Sequence, residues 1–287
     1  MTDFLDLEQV RRNFRRAAPG YAGADFLARE IDARMQERLD YVRLTPGWIV
    51  DLGCGPGLSL SGLQQRYPAA RCLGLDQERA MLPGVAQAQG WRRWLGAGRE
   101  RQPAYLVGDA NRLPLGARTV GLLWSNLLLP WLEEPRPFFR EALRTLEVGG
   151  LLMFSTLGPD TLKELRAGFR DGHAHLQRFA DMHDLGDMLL ESGFADPVVD
   201  MEVITLTYQD LPALVADLRA AGARCAMRDR RRGLAGRSLW QGLQAHYEAL
   251  RQDGRLPATF EVIYGHAWKP EPRQIEDGRS IIRFAGR

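Results

Sequence analysis

The chain turns from a strand into a glycine-rich loop at Val50-Asp51-Leu52-Gly53-Cys54-Gly55-Pro56-Gly57. The three glycines let the backbone turn tightly and approach a ligand with no Cβ in the way. Their spacing is G-x-G-x-G with an acid at the strand end, whereas the dinucleotide fingerprint G-x-G-x-x-G places its third glycine one position later. The stretch therefore predicts a strand, a ligand-binding loop and a helix in succession.

Outward from this loop, short β-rich runs alternate with helical segments, which predicts parallel βαβ units in an α/β fold. Strands are expected at Trp48–Asp51, Arg71–Asp76, Ala104–Gly108, Val120–Ser125 and Leu151–Thr156, with a sixth inside Val198–Leu206 and a seventh at Phe260–Ala267. Helices are expected at Leu27–Tyr41, Leu58–Tyr67, Glu78–Gln89, Pro137–Leu146 and Leu185–Ser192.

The 287 residues are interpreted as one domain rather than two equal ones. A helical segment is expected over 1–45 and the ligand-binding core over 46–156. The segments 157–183 and 207–257 are long for connections, so they are candidate insertions that face the substrate.

Composition limits the classes of function. A net charge of +2 argues against a general nucleic-acid binder. Three cysteines without C-x-x-C spacing favour neither a disulfide framework nor a zinc site, and they fit a cytoplasmic protein. No apolar run is long enough to span a membrane, and the histidines form no convincing metal-ligand set, so no metal is expected. All basic residues except Lys163 and Lys269 are arginine, whose planar fork suits carboxylate and phosphate.

Polar side chains follow three further strands. Asp76, with Gln77 beside it, ends the second strand, where a carboxylate can accept hydrogen bonds from ribose hydroxyls. Asp109 and Ala110 follow the third strand, and Asn126 and Leu127 follow the fourth. Ligands of doubly wound folds collect at the carboxyl ends of the strands, so these residues and the glycine loop are predicted to form one site.

Together these features resemble the class I S-adenosylmethionine-dependent methyltransferases. The resemblance implies a Rossmann-like, seven-stranded, mostly parallel sheet with helices on both faces, N-terminal lid helices and a helical insertion before the last strand. It implies S-adenosyl-L-methionine as the cofactor, with Asp109 at the adenine and Asn126 and Leu127 at the methionine end. The tetrad (N/D)PP(Y/F/W) of amino-methylating nucleic-acid enzymes is absent after the fourth strand.

The flanks resemble a narrower family, the malonyl-[acyl-carrier protein] O-methyltransferases of biotin synthesis. The residues that carry this resemblance are Phe14-Arg15-Arg16-Ala17-Ala18 with Tyr21, Phe154–Pro159, Leu218–Ala223 and Leu256–Val262. It implies methylation of the free carboxylate of a malonyl thioester on acyl carrier protein or coenzyme A. Three alternatives stay open: a protein-arginine hydroxylase like a related complex I assembly factor, a noncatalytic assembly factor, and a methyltransferase for small molecules.

The sequence offers candidate residues for catalysis and for docking a carrier protein, and each of them has a structural alternative. Tyr21 resembles a lid residue but could equally pack a helix on the core, and Arg15 and Arg16 are candidate ligands of the malonyl carboxylate on a helix that is basic throughout. An arginine-rich stretch could dock an acidic carrier protein or could be a solvated loop. Its arginines are Arg224, Arg228, Arg230, Arg231, Arg232 and Arg237.

Overall fold

A computed structural model describes residues 4–83, 102–233 and 236–272. Its strands form one seven-stranded sheet in the order β3-β2-β1-β4-β5-β7-β6. β7 runs antiparallel to β5 and β6, and the remaining neighbours pair in parallel. The strands are β1 (Trp48–Leu52), β2 (Arg71–Asp76), β3 (Ala104–Val107), β4 (Val120–Asn126), β5 (Leu146–Leu157), β6 (Ala195–Tyr208) and β7 (Leu256–Trp268). The predicted α/β fold class is confirmed.

Helices precede, connect and cover the strands. The described residues form α1 (Leu7–Ala17), α2 (Phe26–Arg38), α3 (Leu60–Arg66), α4 (Pro135–Thr145), α5 (Lys163–Gly168), α6 (Met182–Ser192), α7 (Leu211–Ala220) and α8 (Arg237–Glu248). Asp6 caps the first of them by accepting a 3.0 Å hydrogen bond from the Gln9 amide. α7 and α8 form the helical insertion that was predicted before the last strand. Among the described helices, none is both long and apolar enough to cross a membrane.

Alternate side chains of β4 enter two apolar clusters, one on each face of the sheet. Leu122 and Trp124 pack with residues of α2, α3, α5, α7 and α8. Leu123 faces the other way and packs with residues of α4 and α6. Burial on both faces explains why the parallel strands are nearly continuous apolar runs.

The helix predicted at Glu78–Gln89 is wrong at its start. Residues Arg79–Met81 form a single 3-10 turn, and Leu82 is extended with ψ of 133°. Leu82 precedes Pro83, and the proline ring disfavours helical geometry in the residue before it. The part of the prediction after residue 83 lies outside the described residues.

Several strands are longer than predicted. β5 starts at Leu146 rather than Leu151, and β6 and β7 pair over an extended register from Ala195–Trp268 to Tyr208–Leu256. Because β6 is the edge strand, much of it is exposed and mixed in polarity, so the apolar signal covered only its middle. The extension brings Tyr208 to the same end of the sheet as the carboxyl ends of β1 and β4.

Candidate active site

A cavity of about 210 Å³ lies at the carboxyl ends of the parallel strands. The chain crosses over between the neighbours β1 and β4, and such switch points form the ligand crevice of doubly wound folds. The cavity is walled by the loops after β1, β2, β3 and β4 and is covered by residues of α1, the following 3-10 segment and α7. The predicted cofactor residues that line it are Asp51, Gly53, Gly55, Asp76, Gln77, Asp109, Ala110, Asn126 and Leu127.

The glycine loop is fixed by hydrogen bonds to the end of β2. The amides of Gly53 and Cys54 both donate to the Leu75 carbonyl, at 2.8 and 3.1 Å. Gly53 and Gly55 have φ of 72° and 50°, a region that favours glycine. Gly57 has φ of 84° but does not line the cavity; a Cβ there would meet the Tyr105 hydroxyl. Its absent side chain therefore serves packing rather than ligand contact.

Asp51 is the most unusual group in the cavity. The residue is 1% exposed, and within the described residues neither carboxylate oxygen has a hydrogen bond of 3.5 Å or less. Burial, followed by the charges of Asp32 and Asp76, raises the pKa of Asp51 well above its ordinary value, and the Ser59 hydroxyl offsets only part of this rise. A buried carboxylate without donors is costly unless a cationic ligand compensates it. The ammonium of S-adenosylmethionine would supply that charge, so these residues fit the cofactor that the sequence implies.

Asp76 both holds the glycine loop and faces the cavity. Its Oδ2 accepts from the Gly55 amide at 3.0 Å, and its Oδ1 accepts from the Glu78 amide at 2.7 Å. Burial raises the pKa of this carboxyl above its ordinary value. A carboxylate oxygen can accept more than one hydrogen bond, so both oxygens keep capacity for ligand hydroxyls. Asp109 is exposed, and its Oδ1 accepts from the Asn111 amide at 2.9 Å.

The end of β4 forms the opposite wall. Asn126 donates to the Ala28 carbonyl at 2.9 Å and accepts from the Ser155 hydroxyl at 2.7 Å, so its amide fastens α2 and β5 to the site. Leu127 has φ of 58°, which is uncommon for a residue with a branched side chain. Such strained backbone tends to persist where the surrounding structure enforces it, as at functional sites.

The N-terminal segment covers the cavity. Tyr21 lines it, and burial, Asp25 and Asp76 raise the pKa of this tyrosine to about 12, so the phenol is neutral at pH 7. Arg15 and Arg16 do not line it. The Arg15 guanidinium makes two contacts with the buried Glu78 carboxylate, at 3.0 and 3.3 Å, and this pairing ties α1 to the segment that follows β2.

Segment 207–257 was expected to face the substrate, but sequence reasoning named none of the residues in the wall that β6 and α7 form. The Tyr208 hydroxyl donates to Asp217 Oδ2 at 2.7 Å, and both residues line the cavity beside the apolar Leu206 and Phe260. The signal was available in principle, since Tyr208 ends a strand at the ligand end of the sheet. It was lost because the predicted strand stopped at Leu206.

The arginine-rich stretch divides into engaged and exposed side chains. Arg230 donates to Asp6 at 2.9 Å and is 16% exposed, and Arg231 donates to Asp171 at 3.2 Å. These bonds attach the stretch to α1 and to the 157–183 segment. Arg232 and Arg237 are exposed.

Known proteins resemble this chain in sequence and in fold. Residues 50–154 match the family described as methyltransferase domain. A malonyl-[acyl-carrier protein] O-methyltransferase of Nitrosospira multiformis is 49% identical and covers 94% of this chain and 91% of its own length. The malonyl-[acyl-carrier protein] O-methyltransferase of Gallionella capsiferriformans is 46% identical and covers 99% of this chain and 98% of its own length. In fold, the YcgJ protein of Bacillus subtilis has a TM-score of 0.56 at 15% identity, covering 85% of this chain and 99% of its own.

Proposed function

The chain belongs to the malonyl-[acyl-carrier protein] O-methyltransferase family, and from this membership we propose that it methylates the free carboxylate of a malonyl thioester on acyl carrier protein, in biotin synthesis. It is a methyltransferase, and its cofactor is S-adenosylmethionine. The observation that carries the chemistry is Asp51, a buried carboxylate in a cavity at the strand ends whose oxygens have no hydrogen bond of 3.5 Å or less within the described residues. Three free cysteines fit a cytoplasmic enzyme.

The cavity supplies a partner for each part of the cofactor. Asp51 would face the ammonium, Asp76 and Gln77 the ribose, and Asp109 and Ala110 the adenine. Gly53 and Gly55 would allow close approach of the backbone, and Asn126 and Leu127 would border the methionine end. When bound, the cofactor supplies an electrophilic methyl group on its sulfonium sulfur. As the methyl–oxygen bond forms, the methyl–sulfur bond breaks and S-adenosylhomocysteine is left.

The protein needs no general base for this reaction. A free carboxylate is already ionised at neutral pH, since ordinary carboxyl groups titrate near pH 4. Rate enhancement therefore comes from positioning the carboxylate oxygen and from excluding water. Tyr21 fits this role: its neutral phenol can donate a hydrogen bond to the carboxylate without itself becoming the nucleophile.

Arg15 is committed to Glu78, so we do not propose it as the ligand of the malonyl carboxylate. We also propose that the carrier protein approaches the face that bears the exposed Arg232 and Arg237. Acyl carrier proteins are acidic, and surface charges of opposite sign accelerate such encounters. Arg230 contributes by holding this stretch on α1 rather than by direct contact.

The function is tested with malonyl-acyl carrier protein and S-adenosylmethionine labelled in its methyl group. We expect a base-labile methyl ester on the malonyl group, and no label on acetyl-acyl carrier protein, which has no free carboxylate. A folded protein that binds S-adenosylhomocysteine but labels neither carrier nor malonyl-coenzyme A would overturn the proposal. Labelling of coenzyme A thioesters alone would show that the carrier protein is not the partner.

A further inference from the structure

In the described part of the chain, three arginines lie close together and none of them has an acidic partner there. Arg16 is on α1, Arg219 is in the last turn of α7 and Arg224 is in the loop that follows. All three are exposed, and within residues 4–83, 102–233 and 236–272 none has a side-chain ion pair. By contrast, Arg230 and Arg231 of the same region each pair with an aspartate.

The backbone holds these like charges together. Gly222, with φ of 74°, packs so closely on α1 that a Cβ there would come within 3.0 Å of the Phe14 ring. The Asn13 amide, itself 1% exposed, donates to the Arg224 carbonyl at 2.9 Å. Burial and the positive charges of Arg219 and Arg16 lower the pKa of Arg224. Such repulsion is relieved when an anion binds between the guanidinium groups.

The arginines alternate along the chain with residues of the cavity wall. Phe14 on α1, and Leu218, Ala221 and Ala223 on and after α7, line the cavity. The three arginines lie within one or two positions of these residues, yet do not line it. Arg219 and Arg224 thus belong to the segment that forms this wall of the cavity, and Arg16 is in the last turn of α1, whose Phe14 lines the cavity.

We propose that Arg16, Arg219 and Arg224 bind the phosphate of a phosphopantetheine arm whose malonyl thioester enters the cavity. This inference rests on the proposed function, because that function supplies the thioester. A phosphopantetheine arm carries its phosphate at the end remote from the thioester, so an anion site next to the cavity wall and an apolar wall inside match its two ends. Guanidinium forks suit phosphate because they donate paired hydrogen bonds to it.

The test compares malonyl-4′-phosphopantetheine with malonyl-pantetheine, which differ only in the phosphate. In the triple variant Arg16→Gln, Arg219→Gln, Arg224→Gln we expect KM for the phosphorylated substrate to rise about tenfold to a hundredfold. KM for malonyl-pantetheine and kcat for both should stay within about twofold of wild type. The matched control changes three exposed arginines that do not line the cavity, Arg43→Gln, Arg118→Gln and Arg140→Gln, and should leave both substrates unaffected.

Equal effects of the triple variant on the two substrates, or no effect, would overturn the phosphate assignment. So would a loss confined to malonyl-acyl carrier protein, since it would place the arginines against the carrier surface. Calorimetry with 4′-phosphopantetheine, without cofactor or thioester, gives a readout independent of turnover. Binding that depends on the three arginines in a protein that methylates no malonyl thioester would support the anion site while refuting the proposed function.

Discussion

At the residue scale, the site is organised by carboxylates that the fold buries before any ligand arrives. Asp51, Asp76 and Asp32 all have pKa values raised first by burial. Asp32 accepts hydrogen bonds from the Trp124 indole at 3.1 Å and the Gln36 amide at 2.6 Å, so its burial is partly compensated internally. Within the described residues Asp51 has no hydrogen bond of 3.5 Å or less, and the nearby Ser59 hydroxyl offsets only part of its burial. The difference separates a structural acid from one that is reserved for a cation.

Asp51→Asn should therefore stabilise the ligand-free protein and weaken its binding of S-adenosylhomocysteine. Asparagine removes an uncompensated buried charge, so we expect Tm without ligand to rise at pH 7, by about 2–4 °C for each kcal/mol gained. Affinity for S-adenosylhomocysteine should fall at least about tenfold, or 1.4 kcal/mol. Thermal unfolding and calorimetry measure the two effects. A variant with lower Tm and unchanged affinity would show that Asp51 is a structural acid.

Asp76→Ala should weaken cofactor binding through two losses. It removes acceptors for the ribose, each charge-assisted hydrogen bond being worth about 1.5–3 kcal/mol, and it frees the Gly55 amide. Asp76→Asn keeps one neutral acceptor for that amide, so we expect an intermediate affinity for S-adenosylhomocysteine. The sheet should remain intact, because Asp76 ends its strand. Affinity equal to wild type in the alanine variant would refute the ribose assignment.

At the element scale, the sequence predicted the parallel strands well because two-sided burial makes them apolar runs. It failed where local chemistry overrode the pattern. Pro83 and the Asp76–Glu78 hydrogen bond keep the first residues of the helix expected after β2, up to Leu82, out of α-helical geometry. The exposed edge position of β6 concealed the strand that carries Tyr208. The glycine loop and strand-end acids were predictable from spacing. The partners of Arg15 and Arg230 were not, because they lie 63 and 224 residues away.

Helix α1 covers part of the cavity, and Arg15 attaches it to Glu78 in the segment that follows β2. Arg15→Ala should loosen α1, so we expect faster hydrogen exchange in Leu7–Ala17 and a higher KM for S-adenosylmethionine. Arg12→Ala is the matched control: Arg12 is on the same helix but, among the described residues, pairs with Glu8, which is 82% exposed, and such surface pairs contribute little. Identical exchange profiles in the two variants would argue against an attachment through Glu78.

At the scale of the whole molecule, the sheet divides the core into two apolar layers while the carboxylates collect at one end of it. Net charge is only +2, yet its distribution is uneven. Acids line the cavity, and next to its wall lie arginines that have no acidic partner among the described residues. The fold thus presents an interior suited to a cation and, next to its wall, arginines suited to an anion. Ligand binding and folding stability are therefore coupled through the protonation of the interior acids.

This coupling predicts how stability depends on pH. The raised pKa of Asp51 means that the folded, ligand-free protein binds this proton more tightly than the unfolded chain does. Its contribution to stability is therefore lost as pH rises above about 4, where the unfolded carboxyl ionises, and continues to be lost up to its folded pKa. The Tm of Asp51→Asn relative to wild type should accordingly increase from pH 4 to pH 7. Comparing the two proteins cancels the titrating groups that do not interact with Asp51, such as Asp171, whose pKa is lowered to about 2 by His175.

S-adenosylhomocysteine should reverse the loss of stability that Asp51 causes as pH rises. If its ammonium pairs with ionised Asp51 as proposed, the increase in wild-type Tm at a fixed ligand excess should be larger at pH 7 than at pH 5; at 100 times Kd the stabilisation is about 2.7 kcal/mol. In Asp51→Asn the same increase should be nearly independent of pH. Binding should also release a proton from wild type at intermediate pH, which calorimetry in buffers of different ionisation enthalpy detects. Equal proton release by both proteins would assign the titration to another group and leave Asp51 without its role as the partner of the ammonium.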